Sequence, residues 1–372
     1  MLRPSSLRKI SICVNPHLRL SAFICGKKKT ILIPKCFKLI PLNPPILFFK
    51  INMPKTITYS PAYTLVPTYE CFNRCSYCNF RAEVGTSPWL TLEEAEKKLL
   101  PLKGKGVIEI LILSGEVHPS SPQRKTWFQL IYDLCELALT MGFLPHTNVG
   151  PLTLHEMESL KEVNVSMGLM LEQLTPQLLE TVHKYAPSKV PSFRVTQLEW
   201  AGQLKIPFTT GLLLGIGEEK EDWKETLETI THLHQKHSHI QEVILQPHSR
   251  GEQRNWQGKS FYLGKMPEVI KLARAMLPSD ITLQIPPNLV KTPDILLECL
   301  DAGARDLGGI CPRDEVNPNY PHPPEQELKE LLQNSGYQWE KRLPVYPQYY
   351  SWLSPRLQNA IQSFQLQDLS VK

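Results

Sequence analysis

Three cysteines stand at offsets of four and three in Cys71-Phe-Asn-Arg-Cys75-Ser-Tyr-Cys78, so one short loop can turn three thiolates toward one point. Thiolates at that density favour a soft metal centre. A structural zinc site needs a fourth ligand, usually from a second Cys-x-x-Cys or a histidine pair, and no nearby residue supplies one. A cubane 4Fe-4S cluster normally takes four cysteines. Held by three, it keeps one iron open, and an open redox-active iron can chelate a small molecule and pass it an electron. The pattern therefore reads as a chemical site rather than a structural staple.

Other candidates lie downstream. In Leu113-Ser114-Gly115-Glu116, a glycine beside a carboxylate lets backbone and Glu116 approach an ammonium group together, although a helix-capping turn uses the same residues. Met170-Leu171-Glu172 brings a second carboxylate. Arg194 offers a planar guanidinium fork suited to a carboxylate partner. Glu172 and Arg194 are equally compatible with ordinary surface ion pairs. Gly215 and Gly217, in Thr209-Thr-Gly-Leu-Leu-Leu-Gly-Ile-Gly-Glu218, let backbone approach a ligand closely or simply make a tight strand-to-helix turn with positive φ. Histidines 232, 234, 237 and 239 have the look of a metal cluster. They fall where a polar helix ends and a loop begins, which reads as a solvated helix end. No Gly-x-Gly-x-x-Gly follows a strand and opens a helix, which argues against a nicotinamide site.

These residues need elements that bring them together. From residue 53 onward, apolar β-like runs alternate with amphipathic helical stretches at intervals of about 35 to 40 residues. The runs are Thr64 to Pro67, Val107 to Leu113, Leu144 to Val149, Val165 to Leu171, Phe208 to Leu214, Val243 to Gln246, Ile281 to Ile285 and Asp306 to Ile310. Thr91 with Glu94 and Thr153 with Glu156 read as capping boxes. Thr175-Pro176 and Thr292-Pro293 place a cap before a proline in the first helical turn. Strand and helix alternating eight times predict an α/β fold, a (β/α)8 TIM-like barrel with its active residues at the C-terminal strand ends. The cysteine loop then follows strand one and caps the barrel mouth. Residues 53–315 are read as the barrel. Residues 316–372, rich in proline at first, with a helical stretch near Glu325 to Gln333 and aromatics from Tyr346 to Trp352, are read as a C-terminal cap.

The formal charge of +5 hints at an acidic partner until its distribution is examined. Residues 1 to 52 hold ten Lys and Arg and no Asp or Glu, which leaves 31 basic against 36 acidic groups in the remainder, a net of −5. A mildly acidic body argues against nucleic acid. In residues 1 to 52 neither a helical nor a strand period persists, and the apolar run from Pro41 to Phe49 is too broken to span a bilayer, which takes about 20 residues. A basic, acid-poor transit peptide is compatible with this segment. The abrupt change at Met53 favours an unstructured or spurious N-terminal extension. The six other cysteines, at 13, 25, 36, 135, 299 and 311, show no paired spacing. Free thiols fit a reducing cytoplasm, and the broken apolar run predicts no membrane anchor. Cys311 is placed to face the barrel interior, but with no cysteine close in sequence a second cluster is not expected.

The Cys-x3-Cys-x-aromatic-Cys loop resembles the signature of radical S-adenosylmethionine (SAM) enzymes. Together with Thr58-Tyr-Ser, Ser114-Gly-Glu, Gly168-Leu-Met-Leu-Glu172, Ile206 to Glu218 and Gly303-Ala-Arg-Asp-Leu-Gly-Gly-Ile310, it resembles the CofG-type 7,8-didemethyl-8-hydroxy-5-deazariboflavin (Fo) synthases over roughly residues 56 to 350. Cys311 departs from that family, where serine is expected. The resemblance implies one 4Fe-4S cluster on Cys71, Cys75 and Cys78, with SAM as the second cofactor. It implies that Ser114, Gly115 and Glu116 hold the SAM amino group, Glu172 the ribose, Arg194 the carboxylate, and that Tyr77, Gly215 and Gly217 lie by the adenine. It further implies ring closure on a tyrosine-derived uracil adduct, delivered by a CofH-type subunit, with electrons from a donor such as ferredoxin or flavodoxin. The alternatives are a CofH-type or tyrosine lyase-like enzyme acting on tyrosine itself, and a non-catalytic metal-binding module.

Overall fold

The computed structural model describes residues 55–252, 256 and 258–370, and within the first 53 residues only the strands Ile10–Cys13, Arg19–Ile24 and Ile31–Leu32, which pair antiparallel in that order. The rest of the segment read as an extension lies outside the described residues. The chain divides into two units, Met1–Met53 and Pro54–Lys372.

The second unit is a closed parallel barrel. Its strands are β1 (Thr56–Leu65), β2 (Glu109–Leu113), β3 (Leu144–Asn148), β4 (Ser166–Gly168), β5 (Phe208–Leu214), β6 (Ile240–Pro247), β7 (Thr282–Gln284) and β8 (Asp306–Ile310). Each pairs with the next, and β8 returns to β1 through Asp306 opposite Thr58 and Ile310 opposite Pro61. Helices α1 (Leu92–Leu99), α2 (Arg124–Thr140), α3 (Leu154–Lys161), α4 (Pro191–Gln203), α5 (Lys220–His237), α6 (Met266–Met276) and α7 (Pro293–Ala302) connect them. Both expected capping boxes form, with Thr91 and Thr153 accepting from the N3 backbone while Glu94 and Glu156 accept in return. Thr292 precedes α7 but makes no side-chain cap.

Strand β1 starts eight residues before the expected run from Thr64 to Pro67. Its first eight residues, Thr-Ile-Thr-Tyr-Ser-Pro-Ala-Tyr, alternate polar and apolar types and include a proline, so they form a strand without forming a hydrophobic run. Ile57 and Tyr59 are fully buried there.

Period-two alternation sorts each strand's side chains to two faces. Ile110, Ile112, Leu212, Leu214, Val243 and Leu245 are buried without exposure in the main core, and each such burial contributes about 1.5–3 kcal/mol. The opposite face carries Glu109, His146, Thr209 and Glu242. Barrel interiors are commonly filled by branched aliphatic side chains; this one is polar.

The residues after β8 serve both ends of the barrel. Asp314 accepts from Asn288 at 2.8 Å and Tyr320 donates to the Arg250 carbonyl at 2.7 Å, above the strand ends. The chain then forms α8 (Glu325–Asn334) and β9 (Gln338–Lys341), which pairs parallel with Thr56–Tyr59 while β2 pairs with Ala62–Leu65. Immediately after β9, Arg342 enters the floor, 2.6 Å from both Glu242 and Asp306. Val345, Tyr349, Leu353, Leu357 and Ile361 pack against Leu144 and Val165 at the strand starts, with the last three leading into or lying on α9 (Pro355–Ser370).

Candidate active site at the barrel mouth

Backbone hydrogen bonds pin the cysteine loop on two sides. Phe72 N–H donates to the Glu116 carbonyl at 3.0 Å, joining the loop to the end of β2, while Arg74 and Ser76 donate to Tyr185 and Val182 at 2.7 and 3.0 Å. Gly115 is required where the two segments meet, because a Cβ there would stand 2.1 Å from the Glu70 carbonyl oxygen. Ser114 Oγ accepts from Trp127 Nε1 at 3.0 Å and donates to the Gly115 carbonyl.

Cys71, Cys75 and Cys78 all line one cavity of about 320 Å³, together with Glu116, Glu172, Lys189 and Arg194. Cys75 is buried, and Cys71 and Cys78 are partly exposed. Burial, followed by the charge of Glu116, pushes the Cys71 thiol up to about 11. Burial also raises Cys75 and Cys78, an effect that Lys189 opposes at both. Binding a metal centre must therefore displace protons from these thiols. Among the described residues no three His, Cys, Asp or Glu side chains converge tightly enough for a single ion. Three soft donors spread around one cavity fit a cluster, three of whose irons would each take one thiolate, better than a lone ion.

Each carboxylate at the rim is held by a specific donor. Glu116 accepts from Asn73 Nδ2 at 2.9 Å, and Asn73 also holds Ser188 through its side-chain oxygen and approaches Cys71 Sγ at 3.8 Å. Gly150 (φ 86°) leaves room for Glu116, since a Cβ would lie 2.4 Å from its Cγ. Glu172 has φ 64°, and its carboxylate pairs with Lys189, accepts from Tyr77 at 2.5 Å and lies 3.2 Å from His183 Nε2. Burial alone would raise its pKa, yet Lys189, His183 and Arg194 hold it well below the usual carboxylate range. Burial first and Glu172 second push the Tyr77 hydroxyl far above its ordinary value.

Arg194 reaches the cavity from the first turn of α4 rather than from a strand end. Its Nε and Nη2 both donate to the Met170 carbonyl, at 2.9 and 2.6 Å. Gly215 and Gly217, with φ 89° and 122°, do not line the cavity: Gly215 packs on Phe261, and the Glu218 carboxylate accepts from the Gly215 and Ile216 N–H groups, which closes a strand-to-helix turn.

Lys189, Asn73 and His183 escape a reading of the sequence. Asn73 sits inside the cysteine motif, so its position was its signal. Lys189 and His183 lie in the irregular connection between β4 and α4, where no period marks an inward face. The histidine group at the end of α5 is only partly a solvated helix end. His232 is exposed, but His234 and His239 are buried, with His234 Nε2 3.1 Å from Asp280 and His237 Nε2 2.9 Å from Glu199. Packing against β6 and α4 withdraws them from water. Cys311 lines the barrel interior and donates to the Arg313 carbonyl at 2.9 Å.

A sequence profile of the radical SAM superfamily matches residues 65–230. The chain is 64% identical over 314 residues to a 7,8-didemethyl-8-hydroxy-5-deazariboflavin synthase from Trichodesmium erythraeum (strain IMS101), a match covering 84% of this chain and 98% of that protein. A synthase of the same name from Trichormus variabilis (strain ATCC 29413 / PCC 7937) is 65% identical over 304 residues, covering 82% of this chain and 89% of the relative. In fold the barrel is similar to the FeFe-hydrogenase maturase HydG from Carboxydothermus hydrogenoformans, with a TM-score of 0.66 at 19% identity over 86% of this chain and 79% of that one. Methylornithine synthase gives 0.58 at 18% identity, over 77% and 84%. On sequence and fold together, the chain belongs to the radical SAM superfamily and, within it, to the 7,8-didemethyl-8-hydroxy-5-deazariboflavin synthase family.

Proposed function

We propose that this enzyme closes the deazaflavin ring of Fo from the adduct 5-amino-5-(4-hydroxybenzyl)-6-(D-ribitylimino)-dihydrouracil, with release of ammonia, methionine and 5'-deoxyadenosine. The observation that carries the reading is the convergence of Cys71, Cys75, Cys78, Glu116, Glu172 and Arg194 on one cavity above a polar barrel interior, in a chain this similar to synthases of that name.

In this reading the three cysteines hold one 4Fe-4S cluster. Bound there, such a cluster with SAM would supply one-electron chemistry and a primary-carbon radical able to take hydrogen from an unactivated position. The chain's own residues bind and shield. Glu116 would accept from the SAM ammonium, with the tight Gly115 turn keeping the backbone close beside it. Lys189 and Arg194 balance the carboxylates at the rim. The barrel wall keeps water from the reacting carbon. The adduct comes from a CofH-type partner, and ferredoxin or flavodoxin supplies the electron.

Anaerobic turnover with separately prepared adduct tests this directly. Deazaflavin fluorescence should appear with the adduct and SAM, and no 5'-deoxyadenosine should form from free tyrosine. Robust 5'-deoxyadenosine formation from tyrosine alone would instead assign the protein to the step that cuts tyrosine.

A further inference from the structure

Below the cysteine-lined cavity lies a second chamber of about 180 Å³ inside the barrel, and Asn148 and Gln246 belong to the walls of both. Four polar side chains enter its lining from different strands: Glu109 from β2, Asn148 from β3, Gln246 from β6 and, from β7, Gln284. Among the described residues none hydrogen-bonds any of these four side chains. Polar groups inside a fold are normally paired with protein or water, so a row of unpaired amides and a carboxylate in one chamber is a row of groups left for a ligand. Gln284 is held in place by the β8 backbone. Gly308 (φ 76°) is the residue that allows this, since a Cβ there would come within 2.2 Å of Gln284 Nε2. Just past the end of β7, Asn288 donates to Asp314 and to the Tyr320 carbonyl, and its own oxygen has no partner among the described residues.

The chamber's charge narrows the ligand. Arg342, the arginine in its lining, is committed to Glu242 and Asp306. Burial keeps the two histidines in the lining, His146 and His322, below their ordinary pKa. Glu109 faces the chamber near His146, and among the described residues no side chain forms an ion pair with it. Amides present a donor and an acceptor side by side, which matches the alternating C=O and N–H of a ureide ring, and of the four acids in the lining, Glu109, Glu242, Asp314 and Glu315, Glu109 is the one left to accept from hydroxyl groups. An anionic ligand meets like charge instead.

We propose that this chamber binds the ribityl-uracil portion of the substrate, and that Glu109, Asn148, Gln246 and Gln284 select a neutral polyol over its phosphate ester. The inference rests on the reaction proposed above.

The test uses the full chain with its cluster reconstituted anaerobically, given either the adduct or the adduct carrying a phosphate on the terminal ribityl hydroxyl. Wild type should form Fo from the adduct and disfavour the phosphate ester by roughly 100-fold in kcat/KM. Gln284→Leu should raise the KM for the adduct roughly tenfold, with SAM affinity and the spectrum of the reduced cluster unchanged. Glu109→Gln should narrow the discrimination against the phosphate ester by roughly tenfold. Fo formation with equal use of the two compounds by wild type, or an unchanged adduct KM in a folded Gln284→Leu, overturns the chamber assignment and leaves the reaction reading intact. Failure of wild type to form Fo from the adduct overturns the reaction reading and this inference with it.

Discussion

The ammonium of Lys189 meets the carboxylate of Glu172 inside the barrel mouth, with only 12% and 8% of the two side chains exposed. Glu172 holds this position in a left-handed backbone conformation that costs a non-glycine residue on the order of 1–3 kcal/mol. Tyr77 and His183 close on the same carboxylate, so the pair is the centre of a network that reaches from the cysteine loop to the connection before α4.

Removing one partner of such a pair leaves a buried charge uncompensated, at a cost of about 3–5 kcal/mol. Lys189→Met should therefore lower the thermal midpoint by several degrees. Lys189→Met combined with Glu172→Gln, which removes both charges, should recover most of the loss. A double variant as unstable as the single one would show that Lys189 acts by packing alone.

At the cluster, each of Cys71→Ala, Cys75→Ala and Cys78→Ala should abolish the 4Fe-4S centre, because among the described residues no fourth cysteine lines the cavity to take the vacated position. Iron and sulfide content and the electron paramagnetic resonance of the reduced protein are the measurements. A full cluster in any one variant would remove that cysteine from the ligand set.

Glu116→Ala should weaken SAM binding by roughly 10- to 150-fold, the range for losing one charge-assisted hydrogen bond. Cluster content should be unchanged, since Glu116 is held by Asn73 rather than by a thiol. Equilibrium dialysis with labelled SAM decides it, and wild-type affinity in the variant would take Glu116 out of the binding site.

The floor gives a pH prediction. Burial, reinforced by Asp306 and Glu109, raises the Glu242 carboxyl to about 7 even though Arg342 pulls it down, because Arg342 also serves Asp306. A carboxyl whose folded pKa is raised contributes stability below its unfolded value near 4.5 that is lost as pH rises through about 7. Wild type should therefore lose stability between about pH 5 and 8 relative to Glu242→Gln, with thermal midpoints at fixed scan rate as the readout. Parallel pH dependence in the two proteins would contradict the assignment.

The barrel was legible in the chain because each apolar run and each capping box is a local signal. Phe208–Leu214 and Asp306–Ile310 were readable to the residue, and Thr91 and Thr153 mark their helices through contacts three residues away. What escaped is long-range. Arg342 lies in no apolar run and beside no capping signal, and only closure of the barrel brings it to Glu242 and Asp306. Lys189 meets Glu172 only because the connection after β4 folds back over the mouth. Inward polar residues such as Glu109 and Gln284 lie within runs whose apolar neighbours set the period, so their place in the chamber lining becomes visible only in three dimensions.

Hydrogen removal from the adduct at this site can be followed by isotopic transfer. With deuterium placed at the benzylic carbon of the adduct, anaerobic turnover should give Fo together with 5'-deoxyadenosine carrying that deuterium, detected by mass spectrometry. Unlabelled 5'-deoxyadenosine accompanying Fo formation would contradict the account.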